Sequence, residues 1–415
     1  MSVASRSTNG KLLLPRFRKL INPMHPIIKT LLRHLLGEFE RGKLSFIFDN
    51  GREVIFNGAV EGPVALIEVH SLKGLRRLIS GGYMGLAEGY MAGEWSSPSL
   101  PELFAFGTAN QSLLDKRLSG GFLIGLINKT SHIFRGNTRG GSRRNISNHY
   151  DLGNAFFSEW LDPSLTYSSA IFNNTGQQTL KNAQENKCLR IINELGIKEN
   201  DHILEIGCGW GGFAEYTARK TGAHITAITI SKEQYEYSLR RIENSGLNDR
   251  VDILLQDYRD IEGEFDKIVS IEMLEAVGEA YWPEYFQTLS NHLTKDGKAM
   301  IQAITIRDDQ YFDYRRTVDF IQKYIFPGGM LICPTKINEL SLAADLEVTN
   351  DYMMGESYAK TLDLWRESFL ENWKKIADLG FDERFKRMWN YYLVYTSAGF
   401  KAGEIDVGQF CLTKT

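Results

Sequence analysis

Cysteine is scarce in this sequence of 415 residues: Cys188, Cys208, Cys333 and Cys411 stand apart, with no C-x-x-C pair and no His/Cys ligand spacing. That scarcity excludes a disulfide framework and a zinc site. No apolar run approaches the roughly 20 residues needed to span a bilayer, and the start has no secretory h-region. A cytoplasmic protein is expected. Acidic residues are missing from the N-terminal stretch, where Lys11, Arg16, Arg18, Lys19, Lys29 and Arg33 precede the first of them, Glu38. A second basic run holds Lys129, Arg135, Arg139, Arg143 and Arg144. Both runs suit either solvated surface or an anionic membrane, where each well-placed cation is worth about 1 kcal/mol. The net charge of −3 gives no bulk attraction to polyanions, so no nucleic-acid partner is expected.

The chain is long enough for two domains, or for one enlarged domain with an appendage. Residues 16–36 alternate basic and apolar positions and predict an amphipathic helix interrupted by Pro23 and Pro26. Strand-like runs at Leu44–Phe48, Val54–Phe56 and Val64–Val69, with helical patterns at Leu72–Ile79 and Leu100–Leu114, form a small α+β unit. We place it at 1–135, followed by a polar Gly/Arg/Ser linker at 136–147 and a second domain at 148–415.

In that second domain strands alternate regularly with helices. Strands are predicted at Ile203–Ile206, Ile225–Ile230, Val251–Gln256, Lys267–Ile271 and Ala299–Thr305. Helices are predicted at Leu180–Leu195, Gly212–Arg219, Lys232–Asn244 and Tyr281–Leu293. This is the pattern of an α/β fold, a doubly wound, mostly parallel Rossmann-like sheet. Residues 307–400 leave the alternation. Asp308–Tyr324, Thr361–Ile376 and Glu383–Phe400 are expected as a helical cap, rich in Tyr, Phe and Trp, which suits helix core and also an apolar cavity for a hydrocarbon chain.

The first strand of this domain runs into Leu204-Glu205-Ile206-Gly207-Cys208-Gly209-Trp210-Gly211-Gly212. Gly207 and Gly209 let the backbone turn sharply and approach a ligand closely. The order acidic-x-Gly-x-Gly resembles motif I of S-adenosylmethionine-dependent methyltransferases more than a dinucleotide fingerprint. The second strand ends in Thr229-Ile230-Ser231-Lys232-Glu233-Gln234, offering Thr229, Ile230 and Gln234 to a ribose diol, with Ser231 placed as an N-cap. After the third strand, Asp257 and Tyr258 suit an adenine amino group and its purine face, or else form only a polar loop.

Several further segments resemble the cyclopropane fatty acid synthase family of S-adenosylmethionine-dependent methyltransferases, over most of the chain. They are His149-Tyr150-Asp151-Leu152-Gly153-Asn154, Leu161-Asp162-Pro163, Thr166-Tyr167-Ser168, Ser270-Ile271-Glu272-Met273-Leu274-Glu275, Tyr324-Ile325-Phe326-Pro327-Gly328-Gly329 and Tyr391-Tyr392-Leu393. The resemblance adds Tyr167, Ser168, Glu205 and Glu272 to the expected cofactor site. It implies methyl transfer from S-adenosylmethionine to the cis double bond of an unsaturated phospholipid, by a protein peripheral on the inner membrane face. The longer members suggest a homodimer. Attack by the alkene creates a carbocation. Proton loss from the new methyl closes a ring, and loss after a hydride shift leaves a branch.

In the family a bicarbonate ion takes that proton. The resemblance puts its holders at Glu275, at the Ile304 backbone, at Tyr358, at Ser169 where the family has Cys, and at Gln302 where it has His. Two readings stay open. Either bicarbonate binds a modified site, or Glu275 takes the proton itself and changes the product. His149 is expected to order the loop over the cofactor. Competing functions are methylation of a soluble small molecule and cofactor binding without catalysis.

Overall fold

The structure, a computed structural model, describes residues 25–118, 152–173 and 178–415. The expected linker, both basic runs apart from Lys29 and Arg33, and His149 lie outside these residues.

The N-terminal unit is built from α1 (His25–Leu36), β1 (Arg41–Phe48), β2 (Glu53–Asn57), β3 (Val60–Val69), α2 (Leu72–Met91), β4 (Trp95–Ser96), α3 (Leu100–Ala109) and α4 (Gln111–Leu118). Its sheet has the order β2-β1-β3-β4. Alternation of Leu44, Phe46 and Phe48 on β1 with Ala65, Ile67 and Val69 on the parallel β3 buries one face. Two predicted helices differ from expectation. The helix at Leu72–Ile79 continues to Met91, kinked where Gly82 adopts φ 52°. The helix predicted at Leu100–Leu114 breaks at Asn110. The side-chain oxygen of Asn110 accepts from the Glu40 and Arg41 amides at 2.9 and 3.1 Å, an alternative to the helix ladder.

The second unit contains a sheet of seven strands in the order β10-β11-β9-β8-β5-β6-β7. Its strands are β5 (His202–Ile206), β6 (His224–Thr229), β7 (Val251–Leu255), β8 (Phe265–Ile271), β9 (Leu293–Ile306), β10 (Leu346–Met353) and β11 (Ile405–Lys414). β7, β6, β5, β8 and β9 are mutually parallel, and β11 runs antiparallel between β9 and β10. The strand order reverses at β5, so the loop after it opens into the crevice where such sheets bind ligands. α6 (Leu180–Leu195), α7 (Gly212–Thr221) and α8 (Lys232–Asn244) cover one face, and α10 (Trp282–His292) and α12 (Pro334–Ala343) the other. Short helices α5 (Asn154–Ser158), α9 (Leu274–Val277) and α11 (Asp308–Tyr314) connect them.

The predicted helices at Asp308–Tyr324 and Thr361–Ile376 are corrected. The first stops at Tyr314 and resumes as a π turn at Ile321–Ile325; the second spans α13 (Gly355–Glu371) and α14 (Trp373–Asp378). β10 and β11 lie in sequence that carries no strand expectation. β11 is buried on both faces, so it lacks the alternation that marks a half-exposed strand.

The cap, completed by α15 (Glu383–Ala402), shares one hydrophobic core with the N-terminal unit. Phe156, Phe157 and Phe369 are fully buried there, and each such side chain contributes about 1.5–3 kcal/mol relative to exposure. Polar ties cross the seam. Arg387 donates to the Tyr90 and Trp95 carbonyls, both at 3.2 Å, and Glu88 accepts from Lys323 at 2.8 Å and Tyr324 at 2.7 Å.

Candidate active site

The glycine loop follows from local backbone demands. Gly207, Gly209 and Gly211 have φ of 83°, 54° and 78°. A Cβ on Gly207 would lie 3.0 Å from Met273 Cγ, and one on Gly212 only 2.8 Å from the Ser164 carbonyl. The amides of Gly207 and Cys208 both donate to the Ile228 carbonyl, at 3.0 and 2.9 Å, which locks the loop to β6. Asn154, from the motif that begins at His149, accepts from the Trp210 indole at 2.6 Å. Beneath the loop Glu205 is buried. Its Oε2 has no partner among the described residues, and burial pushes its carboxyl up to about 8 against the pull of Lys187 and the Ala214 amide.

Thr229 donates to Gln234 Oε1 at 2.9 Å, leaving the Gln234 amide nitrogen as the donor on offer to a diol. Ser231 caps α8, accepting from the Gln234 amide at 3.4 Å. Asp257 is gripped by the Arg259 guanidinium, with Nε at 2.8 Å and Nη2 at 2.7 Å. Two lone-pair directions on its oxygens already point at that cation, so what it offers an adenine is reduced.

The second half of the site is a network of carboxylates. Glu272 stands just past β8 with φ 50°, a left-handed conformation for a non-glycine residue. Its Oε1 accepts from the Ser169 amide at 2.7 Å and from Gln302 Nε2 at 2.8 Å; its Oε2 accepts from the Tyr358 hydroxyl at 2.7 Å. Burial raises the Glu272 carboxyl above its ordinary range, and these donors with Lys187 oppose the rise. Glu275, in the first turn of α9, accepts from the Ile304 amide through Oε1, and its Oε2 has no partner among the described residues. Burial, then the neighbouring Glu272 charge, pushes Glu275 up to about 8.

Every expected cofactor residue (Tyr167, Ser168, Glu205, Gly207, Gly209, Thr229, Ile230, Gln234, Asp257, Tyr258, Glu272) lines one cavity of about 1410 Å³. Glu275, Ile304 and Tyr358 line it too. Ser169 and Gln302 do not; both are fully buried behind Glu272. The cavity continues past the carboxylates to apolar walls contributed by the N-terminal unit, among them Phe39, Phe46, Leu103 and Phe106.

A bicarbonate does not fit the side chains as they stand. The Ser169 amide, Gln302 and Tyr358 all donate to Glu272, the Ile304 amide donates to Glu275, and the Ser169 hydroxyl turns to the Ala170 carbonyl at 3.0 Å. The donors expected to hold a small anion are thus already engaged by two buried carboxyl groups and the Ala170 carbonyl.

The sequence model described as mycolic acid cyclopropane synthetase matches residues 138–410. The chain belongs to the cyclopropane synthase family. These enzymes are S-adenosylmethionine-dependent methyltransferases, and so is this chain. Among its relatives, tuberculostearic acid methyltransferase UfaA1 of Mycobacterium tuberculosis is 38% identical over 365 residues, 86% of this chain and 85% of that protein. Cyclopropane-fatty-acyl-phospholipid synthase of Escherichia coli is 34% identical over 368 residues, 86% of this chain and 90% of that one. The crystal structure of mycolic acid cyclopropane synthase CmaA1, complexed with SAH and CTAB, superposes with a TM-score of 0.62 at 31% identity, covering 66% of this chain and 98% of that one.

Two residues of this cyclopropane synthase-family site escaped sequence reasoning. Lys187 is fully buried on α6, and its Nζ donates to Ser168 Oγ at 2.7 Å. Its position on the apolar stripe with Ala183, Cys188 and Ile191 was the available signal. Gln409 on β11 donates to Gln302 Oε1 at 2.9 Å and accepts from Arg190 at 2.7 Å. No local pattern marks it, because β9–β11 pairing alone brings it there.

Proposed function

We propose that this chain transfers the methyl group of S-adenosylmethionine to the cis double bond of an unsaturated acyl chain in a membrane phospholipid. One observation carries the reading: the cavity that begins at the glycine loop passes Glu272 and Glu275 and runs on between apolar walls. Its volume, about 1410 Å³, exceeds the roughly 300–1,000 Å³ of an ordinary small-molecule pocket, leaving room for a long chain beside the cofactor.

Gly207, Gly209, Thr229, Gln234, Asp257 and Tyr258 would hold the cofactor, with Glu205 beneath the loop. When bound, it supplies an electrophilic methyl on a sulfonium. The chain's own residues have three further tasks. They align the weakly nucleophilic alkene, by confining it between the cap and the N-terminal unit. They stabilise the developing cation, through the faces of Tyr167, Phe326 and Tyr392 and the nearby carboxylates. They keep water from trapping it, since Tyr167 and Tyr392 share a hydrogen bond at 2.8 Å within a packed aromatic cluster. The group that removes the proton then decides between a ring and a branch.

The substrate places the enzyme at a bilayer surface as a peripheral protein on the cytoplasmic side; among the described residues no helix is long and apolar enough to cross a membrane. The test is incubation with methyl-labelled S-adenosylmethionine and vesicles of monounsaturated phospholipid, followed by saponification. Label is expected in the fatty-acid fraction, and none with fully saturated vesicles. Label confined to the headgroup fraction, or to a soluble acceptor only, would sink the reading.

A further inference from the structure

We propose that the carboxylate of Glu272 is this enzyme's built-in proton acceptor, standing where a small oxyanion would otherwise be recruited. The inference rests on the methyl-transfer reading above and names the residue that completes it.

Three donors from distant parts of the chain converge on this one side chain: the Ser169 amide and Gln302 Nε2 on Oε1, and the Tyr358 hydroxyl on Oε2. A carboxylate oxygen offers two lone pairs, so Oε1 is saturated and Oε2 keeps one for an incoming proton. Gln302 cannot act in its place. Its Oε1 is claimed by Gln409, which fixes the amide with nitrogen toward Glu272, and an amide does not titrate. Ser169 and Gln302 are sealed behind Glu272, whereas Glu272 itself lines the cavity.

The backbone supports the same assignment. At φ 50° a side chain is held in a conformation that favours glycine, and strain of this kind persists where the surroundings impose it. Here it aims a carboxylate into the donor cluster. Lys187, buried against Ser168, favours the charged form of Glu272 from the same region, while burial pulls its own pKa down. Glu275 differs: its carboxyl has the Ile304 amide on one oxygen and lies in the field of Glu272. With three donors to the one on Glu275, Glu272 is the member of the pair better stabilised as a carboxylate.

The step balances. The alkene π pair forms the new C–C bond as the methyl's C–S bond breaks. Glu272 Oε2 then takes a proton from the new methyl, whose C–H electrons bond to the cationic carbon and close the ring, or, after a hydride shift, from a carbon next to the cation, whose C–H electrons form a double bond. The carboxylate leaves as a neutral acid, matching the loss of the sulfonium charge.

The test uses the full-length protein with S-adenosylhomocysteine bound and ¹³C-bicarbonate as the NMR probe. Wild type is expected not to bind bicarbonate. Glu272→Gly removes the carboxylate at a φ that glycine accepts, frees all three donors, and is expected to bind it saturably. In turnover, wild type is expected to change by less than about twofold when bicarbonate is depleted, whereas Glu272→Gly loses roughly 100-fold or more and recovers at least about tenfold with bicarbonate or formate. Cofactor affinity measured by calorimetry reports that the variant is folded. Bicarbonate binding to wild type, a wild-type rate that depends on it, or a fully active Glu272→Gly without added anion would overturn the proposal. The NMR arm needs no turnover, so unlabelled lipid would count against the methyl-transfer reading alone while bicarbonate binding still decides the role of Glu272.

Discussion

The two halves of the active site are built on opposite principles. On the proposed reading the cofactor half is centred on a backbone turn: Gly207, Gly209 and Gly211 at positive φ, tied down by the Ile228 carbonyl and the Ser238 hydroxyl, which donates to the Gly209 carbonyl at 3.1 Å. The reaction half is made of side chains that satisfy one another, with Glu272 at the centre and Tyr358, Gln302 and Ser169 around it. A backbone cradle is complete only when its ligand arrives. A closed side-chain network needs no recruited ion, and it keeps its geometry between turnovers. On the proposed reading, the difference makes binding the methyl donor and removing the proton separable properties of this protein.

The largest expected effect falls on the reaction half. Tyr358→Phe deletes the hydroxyl that donates to Glu272 Oε2, and we expect the turnover rate to fall by roughly 10–100-fold while cofactor affinity stays within about threefold. Pre-steady-state labelling of the lipid beside calorimetry reads both, and equal losses in both would break the comparison.

Gly207→Ala strikes the other half. The new methyl would lie 3.0 Å from Met273 Cγ at a φ of 83°, so the cofactor should bind roughly tenfold or more weakly, with a stability loss of about 1–2 kcal/mol. Unchanged affinity would remove the backbone from the account of that half.

A third effect concerns stability. The folded protein keeps the Glu205 carboxyl protonated up to about 8, whereas an unfolded chain releases that proton near 4.5. Between those pH values the native state binds more protons than the unfolded one, so this group lowers stability as pH rises from about 5 to 8. The melting temperature should decline over that window, and Glu205→Gln should flatten the decline. A Glu205→Gln profile parallel to wild type would contradict it.

The smallest effect is expected at the seam between the units. Arg387→Ala removes two hydrogen bonds to the N-terminal unit and should cost about 1–2 kcal/mol in thermal unfolding, with cofactor affinity unaltered.

Legibility divides along the same line. The glycine loop, the Thr229–Gln234 turn and the alternation of strands and helices are local patterns, and the structure places each near its expected position. The reaction half depends on contacts across 191 residues of separation for Ala170 with Thr361, 103 for Ser169 with Glu272, and 107 for Gln302 with Gln409. No sequence periodicity encodes those. Ser270-Ile271-Glu272 resembles a family motif and puts Glu272 in the expected cofactor site; its side chain also gathers the donors expected to hold an ion. The strand at Ile405–Lys414 is hidden in the sequence for a related reason, since a strand buried on both faces loses the alternation that would reveal it.

The most direct test of separable halves is one paired measurement on Glu272→Gln, which keeps the shape of the side chain and removes its charge. S-adenosylmethionine is expected to bind within about threefold of wild type by calorimetry, while single-turnover methylation of unsaturated phospholipid falls roughly 100-fold or more. A variant that methylates lipid at the wild-type rate, or that loses cofactor binding in step with its rate, would contradict it.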